Sequence, residues 1–379
     1  MPEENYSDHI LKEFRRITSL DYKAIPSHLP EGCIPIGFFC PYVPEELLHA
    51  AGAFPFRLLG SPIKLSHAPA HLPPGCCHFM KSSLESLLSG ELDFLKGVVF
   101  SHTCDGMQGL SDIWAFQKRL PLLFNFMVPT NLCSESTRPY LKSEIERFWS
   151  FLGSNVGTVT IPNLLASVRL FNRIREKIGE LYQLKRTSSS RLSEGDFASV
   201  IRAGYWMDRN QYLQSLSELL NAMPRKPTDE TPFVPIYLTG NMVHSAPYFS
   251  LIHEAGARVV SDDLCSGERF LRLRTREDID PIEALTERYL TSFLCPTKHK
   301  GAHARLETLL PEIEQSGAKG VIFLQYKYCE PHFFDHPDLK TALEAKGIPS
   351  LLLEVDDPST SQGQMKMRIQ AFVEMLSAL

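Results

Sequence analysis

The sequence lacks several features that would assign a chain of 379 residues directly to a functional class. Its 39 lysine and arginine residues are outnumbered by 44 aspartate and glutamate residues, so it has no basic excess of the kind that nucleic-acid binding requires. No apolar run approaches the roughly 18–20 residues of a membrane span, and the acidic N-terminus has no apolar segment typical of a secretory signal peptide. We therefore expect a cytoplasmic protein that binds neither nucleic acid nor membranes.

Two kinds of short motif are also missing. Neither G-x-G-x-x-G nor the Walker A pattern occurs, so ATP binding is not expected of this chain. The nine cysteines include no C-x-x-C pair, and structural zinc sites usually contain such a pair, so zinc is the less favoured metal. In a reducing cytoplasm, cysteines are more often ligands, catalytic groups or small buried residues than disulfide partners.

Hydrophobic periodicity predicts an α/β protein with two parallel-sheet domains. The chain is long for one hydrophobic core, and its 43% hydrophobic and 22% charged content is typical of globular proteins. Short apolar runs alternate with amphipathic segments towards both ends, which favours flavodoxin-like sheets, whereas the middle shows helical periodicity. We predict an N-terminal α/β domain with a helical arm (1–140), a helical connector and linker (141–227) and a C-terminal α/β domain (228–379).

The two α/β segments share a local pattern. Lys96–Phe100 recurs as Lys319–Phe323, and each copy follows a helix preceded by a loop cysteine and leads to another cysteine, which indicates an internal duplication. The clearest linker is Pro224–Asp229. Predicted strands cover 34–40, 54–59, 97–101, 122–128, 235–238, 258–261, 320–325 and 350–354. Predicted helices of the two segments cover 44–52, 79–89, 107–118, 246–256, 281–290, 303–316, 338–346 and 363–377.

Six cysteines fall where predicted strands or short loops end, three in each half. Ligands of open α/β sheets bind beyond the carboxyl ends of the strands, and a thiol that precedes a helix has its thiolate favoured by the helix N-terminus. Thiolates are soft donors that suit iron–sulfur clusters. The sequence therefore predicts an iron–sulfur site at a seam between two domains, with the candidate ligands Cys40, Cys77, Cys104, Cys265, Cys295 and Cys329.

The alternative is that these cysteines only fill space, which is the common fate of a free cysteine. Their corresponding positions in the two halves favour a functional role. Cys33 and Cys133 show no such placement and are predicted to be structural. Cys76 adjoins Cys77, so the sequence leaves open which of the two is the ligand.

Four segments resemble the 2-hydroxyacyl-CoA dehydratase and benzoyl-CoA reductase family. Together they extend over nearly the whole chain, which makes the resemblance specific. The segments are Gly37–Gly52, His102–Trp114, Asp262–Gly267 and Lys327–Pro331, the last accompanied by Ile348, Pro349, Leu353, Glu354 and Asp356.

The resemblance implies a [4Fe-4S] cluster at the domain interface, held by Cys77, Cys104 and Cys329, with its fourth iron site open. It also implies an ATP-hydrolysing iron–sulfur activator that delivers one electron at low potential. In the family's dehydratases this electron forms a ketyl radical that expels a hydroxyl group, and the reductases reduce an aromatic ring.

The other three cysteines, Cys40, Cys265 and Cys295, would hold a second cubane. This arrangement is similar to the double-cubane [8Fe-9S] proteins of the same superfamily, which are homodimers that reduce small molecules. We favour this interpretation and keep two alternatives. One is a [4Fe-4S] subunit of an acyl-CoA dehydratase or reductase, paired with an identical or paralogous subunit. The other is a non-catalytic, metal-stabilised interaction subunit.

Several polar residues near the motifs are weaker candidates. His102 and Glu45, together with Glu46, are candidates for proton transfer, although histidines at strand ends and acids in a first helical turn are usually structural. Lys298–Lys300 would attract a CoA phosphate or an acidic partner protein, but a solvated loop is the more common role of such a run. Gly240–Asn241, at a strand end, would cradle an anion.

Overall fold

The computed structural model describes residues 2–187, 192–223, 233–242, 246–271, 274–292, 295–301, 303–356 and 362–379, and it has two α/β lobes joined by helices. The N-terminal lobe contains α1 (Pro2–Thr18), β1 (Ile34–Phe38), α2 (Glu45–Ala50), β2 (Ala53–Arg57), α3 (His78–Leu88), β3 (Gly97–Ser101), α4 (Asp105–Gln117) and β4 (Leu122–Phe126). Two short 3-10 helices, Ile25–His28 and Ala68–Ala70, lie in its loops.

Helices then dominate until the second sheet begins. The middle of the chain forms α5 (Thr137–Asn155), α6 (Ile161–Arg186), α7 (Glu194–Ala203) and α8 (Arg209–Ala222). The C-terminal lobe contains β5 (Val234–Gly240), α9 (Ala246–Glu254), β6 (Ala257–Asp263), α10 (Glu268–Leu271), α11 (Pro281–Ser292), α12 (Ala304–Ser316), β7 (Gly320–Tyr326), α13 (Glu330–Ala345), β8 (Ser350–Val355) and α14 (Gln362–Ser377).

The two lobes have the same sheet topology. The strand orders are β2-β1-β3-β4 and β6-β5-β7-β8, and all described pairings are parallel. The repeated segments enter the third strand of each sheet, where the backbone N–H of Lys96 donates to the carbonyl oxygen of Pro35 and that of Lys319 donates to Pro235, both at 2.8 Å. The predicted fold class, two flavodoxin-like parallel-sheet units related by duplication, is confirmed.

The middle helices pack on both lobes. Helix α6 contacts α2 of the first lobe and β6 of the second, and α7 contacts α1 and α9. The largest apolar cluster accordingly includes Phe56 and Ile322, one from each sheet, together with Leu181 of α6. The three predicted domain ranges remain predictions, and the predicted linker Pro224–Asp229 lies outside the described residues.

One helix begins earlier than predicted. We expected a helix over 338–346, but α13 begins at Glu330 and continues through Pro337. Proline removes one backbone hydrogen bond from a helix interior, so the pattern before Pro337 did not indicate a helix. The earlier start places Cys329 at the N-cap of α13. Among the described residues, no helix is both long and apolar enough to cross a membrane.

Candidate metal centre

All six predicted cysteine ligands line one cavity. Its volume is about 670 Å³, part of it open to solvent. Cys104 and Cys329 lie at equivalent positions in the two lobes, each three residues beyond β3 or β7 (101 to 104 and 326 to 329). Cys40 and Cys265 each lie two residues beyond a strand, β1 or β6 (38 to 40 and 263 to 265). The cavity therefore lies at the carboxyl edges of both sheets, where an open α/β sheet binds its ligands.

Three of the thiols belong to helix N-caps. Cys77, Cys104 and Cys329, called here the capping trio, are the N-cap residues of α3, α4 and α13. Burial raises the pKa of Cys77 to about 12, although the backbone N–H of Met80 donates to it and opposes the rise. Burial also raises the pKa of Cys104 and Cys329. The N–H groups at the starts of α3 and α4 do lower the pKa of Cys77 and Cys104, as expected, but desolvation raises each pKa by more.

The other three thiols, Cys40, Cys265 and Cys295, are called here the loop trio. Burial raises the pKa of Cys40 to about 12, and Cys295 and Cys265 raise it further by electrostatic repulsion. Burial raises the pKa of Cys265 to about 11, although Arg269 and Arg57 oppose the rise. Cys77 and Cys104 raise the pKa of Cys329 by electrostatic repulsion, and both do so more strongly than Cys265 does. Cys104 does not follow this division, because Cys295 of the loop trio is the cysteine that raises its pKa most strongly. The six thiols therefore interact across the whole cavity.

Polar side-chain atoms contact three of the sulfur atoms, and two of these contacts are hydrogen bonds donated to sulfur. The Arg269 guanidinium donates from Nη1 to Cys265 Sγ, and the Thr297 hydroxyl donates to Cys295 Sγ, both at 3.2 Å. In the capping trio, the Cys329 Sγ lies 3.5 Å from His332 Nδ1. Donors of this kind orient the side chains of a metal site and adjust the electron density on its sulfur atoms.

Two buried cations lie beside the loop trio. Arg57 is fully buried and donates to the carbonyl oxygens of Phe39 (3.2 Å) and Cys265 (2.7 Å). Lys298 is 7% exposed, and its Nζ donates to the carbonyl oxygens of Val128 (2.9 Å) and His102 (3.3 Å). The prediction of a solvated loop is therefore wrong for Lys298, because its side chain turns inward. It holds for His299 and Lys300, which are exposed.

The rest of the lining is largely apolar and was not predicted. The residues that line the cavity besides the cysteines are Phe39, Phe79, Met80, Thr103, Met107, Asn241, Met242, Thr297, Tyr326, Pro331 and His332. None of these described lining residues is an aspartate or a glutamate. Methionine and aromatic side chains spaced along helices look like ordinary core residues in a sequence, so no local signal separates them from the core of either lobe.

Asn241 links the end of β5 to the capping trio. Gly240 precedes it, and a Cβ atom there would lie 1.9 Å from the carbonyl oxygen of Leu324, so only glycine fits. The Asn241 side chain is 4% exposed, and its Oδ1 accepts from the backbone N–H of Tyr326 at 3.3 Å. Its Nδ2 has no partner of ordinary hydrogen-bond geometry, but the amide lies near enough to Cys329 to lower the pKa of that thiol. The sequence predicted that Gly240 and Asn241 would bind an anion, and in the structure the buried amide of Asn241 lies beside the Cys329 thiol.

The remaining cysteines do not line the cavity. Cys76, the neighbour of Cys77, is half-buried and lies outside it, so the structure brings Cys77 and not Cys76 into the group. Cys33 is half-buried against the core. Cys133 is exposed, so the prediction that it fills space in the structure is wrong.

The weaker candidates for proton transfer lie outside the cavity lining. Glu45 forms an ion pair with Arg209 (3.0 Å) in a second cavity beside the middle helices. Glu46 is fully buried there, and although burial alone would raise its pKa, Arg175 and Arg288 hold that pKa down to about 2. Glu46 is therefore ionised at neutral pH and has no proton to donate. His102 contributes its carbonyl oxygen to Lys298, and its proton-transfer role remains a prediction.

The described side chains do not converge on a single ion. No group of three or more His, Cys, Asp or Glu side chains within the described ranges is close enough together to hold one metal ion. The six thiols instead surround a wide space. Fold and site together define a class of two-lobed α/β protein in which both parallel sheets contribute cysteine side chains to one cavity.

The chain belongs to the family described as 2-hydroxyglutaryl-CoA dehydratase, D-component, whose family model matches residues 40–376. It is 26% identical to the (R)-phenyllactyl-CoA dehydratase beta subunit of Clostridium sporogenes, over 98% of this chain and 99% of that protein. It is 24% identical to the (R)-2-hydroxyglutaryl-CoA dehydratase beta subunit of Acidaminococcus fermentans (97% and 99%) and 25% identical to a benzoyl-CoA reductase subunit of Thauera aromatica (87% of each). The predicted membership of a family of dehydratases and reductases is confirmed.

Proposed function

We propose that this chain is an iron–sulfur redox enzyme that holds a double-cubane [8Fe-9S] group and reduces small molecules with low-potential electrons from an ATP-hydrolysing activator. The observation that carries the proposal is the convergence of six thiols, three from each half of the chain, on one cavity. A single cubane with an open fourth site needs three cysteines. Six thiols at one cavity are enough to provide three ligands for each of two cubanes.

The chemistry of the cavity fits such a group. Its described lining offers six soft thiols and no carboxylate, which suits iron–sulfur centres better than hard cations. Two buried nitrogen atoms lack a protein partner of ordinary hydrogen-bond geometry, Nδ2 of Asn241 and Nε2 of His332. An amide or imidazole N–H beside a cluster would donate to its sulfur atoms, as partners behind the ligands commonly do. The bound group would supply one-electron chemistry at low potential.

The chain's own residues would hold and shield this group. The capping trio and the loop trio would each supply three thiolates. The first-turn N–H groups of α3 and α4 would continue to donate to the bound sulfur atoms of Cys77 and Cys104. Phe39, Phe79 and Met107 line the cavity and would limit the access of water. Exclusion of water strengthens the interactions of charged groups inside the site.

The second candidate is a [4Fe-4S] subunit of a 2-hydroxyacyl-CoA dehydratase or benzoyl-CoA reductase. It is favoured by the relatives, of which two are named as beta subunits of dehydratases and one as a subunit of benzoyl-CoA reductase. In this case the capping trio alone would bind iron, the reaction would proceed through a ketyl radical, and a paralogous subunit would be the partner. A non-catalytic subunit that shares the fold is the third possibility.

Iron and acid-labile sulfide should be measured per chain after anaerobic purification. The double cubane predicts about eight iron atoms per chain, and the single cubane predicts about four. A colourless protein without sulfide would overturn both. Turnover should then be tested with a matching ATPase reductase and, separately, with 2-hydroxyacyl-CoA thioesters. A folded, iron-loaded protein that is inactive in both assays would favour the non-catalytic subunit.

A further inference from the structure

Arg57 and Lys298 are buried cations whose described hydrogen-bond acceptors carry no charge. Arg57 donates to two carbonyl oxygens and to the Met242 sulfur atom (3.3 Å), and its guanidinium lies 4.5 Å from the centre of the neutral Tyr205 ring. Lys298 donates to two carbonyl oxygens. No carboxylate of the described ranges forms an ion pair with either side chain. A buried charge without a counter-charge is costly, so each position calls for a negative group that would compensate it.

Other buried cations in the described core do have a carboxylate partner. Lys185, which is 2% exposed, donates to Glu194 at 2.5 Å. Arg175 donates to Glu46 at 2.5 Å. Arg269, which also contacts the loop trio, is bound to Asp263 at 2.7 Å. Arg57 and Lys298 therefore differ from these buried cations in having no carboxylate partner among the described residues.

Both cations act on thiols of the loop trio, and both act on Cys40. The positive charge of Arg57 opposes the rise in pKa of Cys40 and of Cys265, and the carbonyl oxygen that it binds is that of Cys265 itself. Lys298 is buried beside Cys295 and Cys40, with Cys104 as a further neighbour. The loop trio is thus enclosed by positive charge that the neutral thiols of the iron-free protein leave uncompensated.

We propose that Arg57 and Lys298 are positioning residues that supply the counter-charge of an anionic iron–sulfur group at the loop trio. The inference rests on the proposed function and adds to it. Thiolates and sulfides give such a group a net negative charge, which the two cations would balance when it binds. The same charges favour the reduced state, which carries one more electron, so they raise the reduction potential of the half of the group next to the loop trio. In the iron-free protein the uncompensated charges of Arg57 and Lys298 destabilise the fold.

The test compares one substitution at two buried lysines. Lys298→Gln removes the charge beside the loop trio and keeps an N–H donor, and the matched control Lys185→Gln removes the charge of a buried pair with Glu194. Iron release to a chelator, the midpoint potential and the melting temperature of the iron-free protein are measured for each. We expect Lys298→Gln to lose iron about tenfold faster, to shift the potential downward and to leave the iron-free melting temperature unchanged or higher.

The control is expected to behave in the opposite way. Lys185→Gln strands the buried carboxylate of Glu194, so the melting temperature of the iron-free protein should fall while iron release and potential stay as in the parent. Arg57→Gln should follow Lys298→Gln. The charge-preserving variant Lys298→Arg should restore iron retention and potential, which a merely structural role of the lysine ammonium would not predict.

Two failures of the experiment are distinct. A parent protein that takes up no iron overturns the proposed function and this inference with it. A parent that binds iron overturns the inference alone if Lys298→Gln and Arg57→Gln retain iron and potential unchanged. The same conclusion follows if these variants melt lower without iron and lose no iron, because the cations would then serve the fold and not the bound group.

Discussion

The capping trio and the loop trio each offer three thiols, but in different electrostatic settings. Cys77, Cys104 and Cys329 are helix N-cap residues, and the hydrogen-bond donors near their sulfur atoms are backbone N–H groups and the Asn241 amide. The loop trio follows strands or loops and is surrounded by positive charge from Arg269 and two cations without carboxylate partners. Neutral dipoles orient a ligand, whereas buried charges also set a preferred oxidation state. The difference suggests that the two halves of the bound group have different tasks.

Removal of single thiols should give the largest effect and should show whether the two trios are independent. Cys104→Ala and Cys329→Ala should lose most of the iron if there is one cubane and about half of it if there are two, because both candidate functions place a cubane at the capping trio. Cys40→Ala and Cys265→Ala should lose about half of it if there are two cubanes and none if there is one. Iron and acid-labile sulfide are measured per chain for each variant, and circular dichroism checks that each variant is folded.

Cys33→Ala provides the control for this series, because Cys33 is half-buried outside the cavity. Its iron content should equal that of the parent. If Cys104→Ala and Cys329→Ala also kept the parent's iron content, the capping trio would not be a set of ligands, and the comparison of the two trios would lose its basis.

The two trios should resemble each other in their response to alkaline pH when iron is absent. Burial raises the pKa of Cys40 and of Cys77 to about 12, above the value near 9 of an exposed thiol. A pKa raised in the folded state contributes stability that is complete below about pH 9 and is lost as the pH rises towards 12. Each such thiol should therefore cost about 2–3 kcal/mol of the free energy of unfolding by pH 11.

Denaturant unfolding of the iron-free protein between pH 8 and pH 10.5 measures this loss. Cys40→Ala or Cys77→Ala should flatten the decline, and Cys133→Ala, at an exposed cysteine, should leave it unchanged. The iron-loaded protein should show a weaker decline, because its sulfur atoms are already bound as thiolates. A decline equally steep with and without iron would mean that groups other than the cavity thiols control it.

The sequence predicted the strand ends that carry the cysteines better than it predicted the other residues around the cavity. The ends of β1, β3, β6 and β7 could be located from apolar runs, and parallel strands bring their carboxyl ends to one edge of a sheet, so topology places the strand-end cysteines of each lobe at one edge. A further repeat is visible once the lobes are compared, since Pro35 and Pro235 occupy the second position of equivalent strands.

The interior could not be predicted because it depends on packing between distant segments. Lys298 belongs to a run of basic residues that looks solvated, and only its approach to Val128 and His102 shows that it is buried. Arg57 ends a strand of the first lobe and contacts Cys265 of the second. No periodicity within either segment records that contact, so the counter-charges of the loop trio were invisible in the sequence.

The smallest expected effect is that of the neutral donor beside the capping trio. Asn241→Leu removes the amide near Cys329, and also the acceptor of the Tyr326 N–H, without changing the charge of the cavity. A neutral hydrogen bond contributes about 1 kcal/mol, so iron release should accelerate about fivefold, less than for Lys298→Gln, and the potential should shift less. Asn241→Asp keeps the acceptor and places a carboxylate beside Cys329. It should therefore release iron faster than Asn241→Leu, because repulsion of the thiolate adds to the lost donor. A parent-like rate for Asn241→Asp beside a faster rate for Asn241→Leu would show that Asn241 acts through Tyr326 and not on the sulfur atoms of the capping trio.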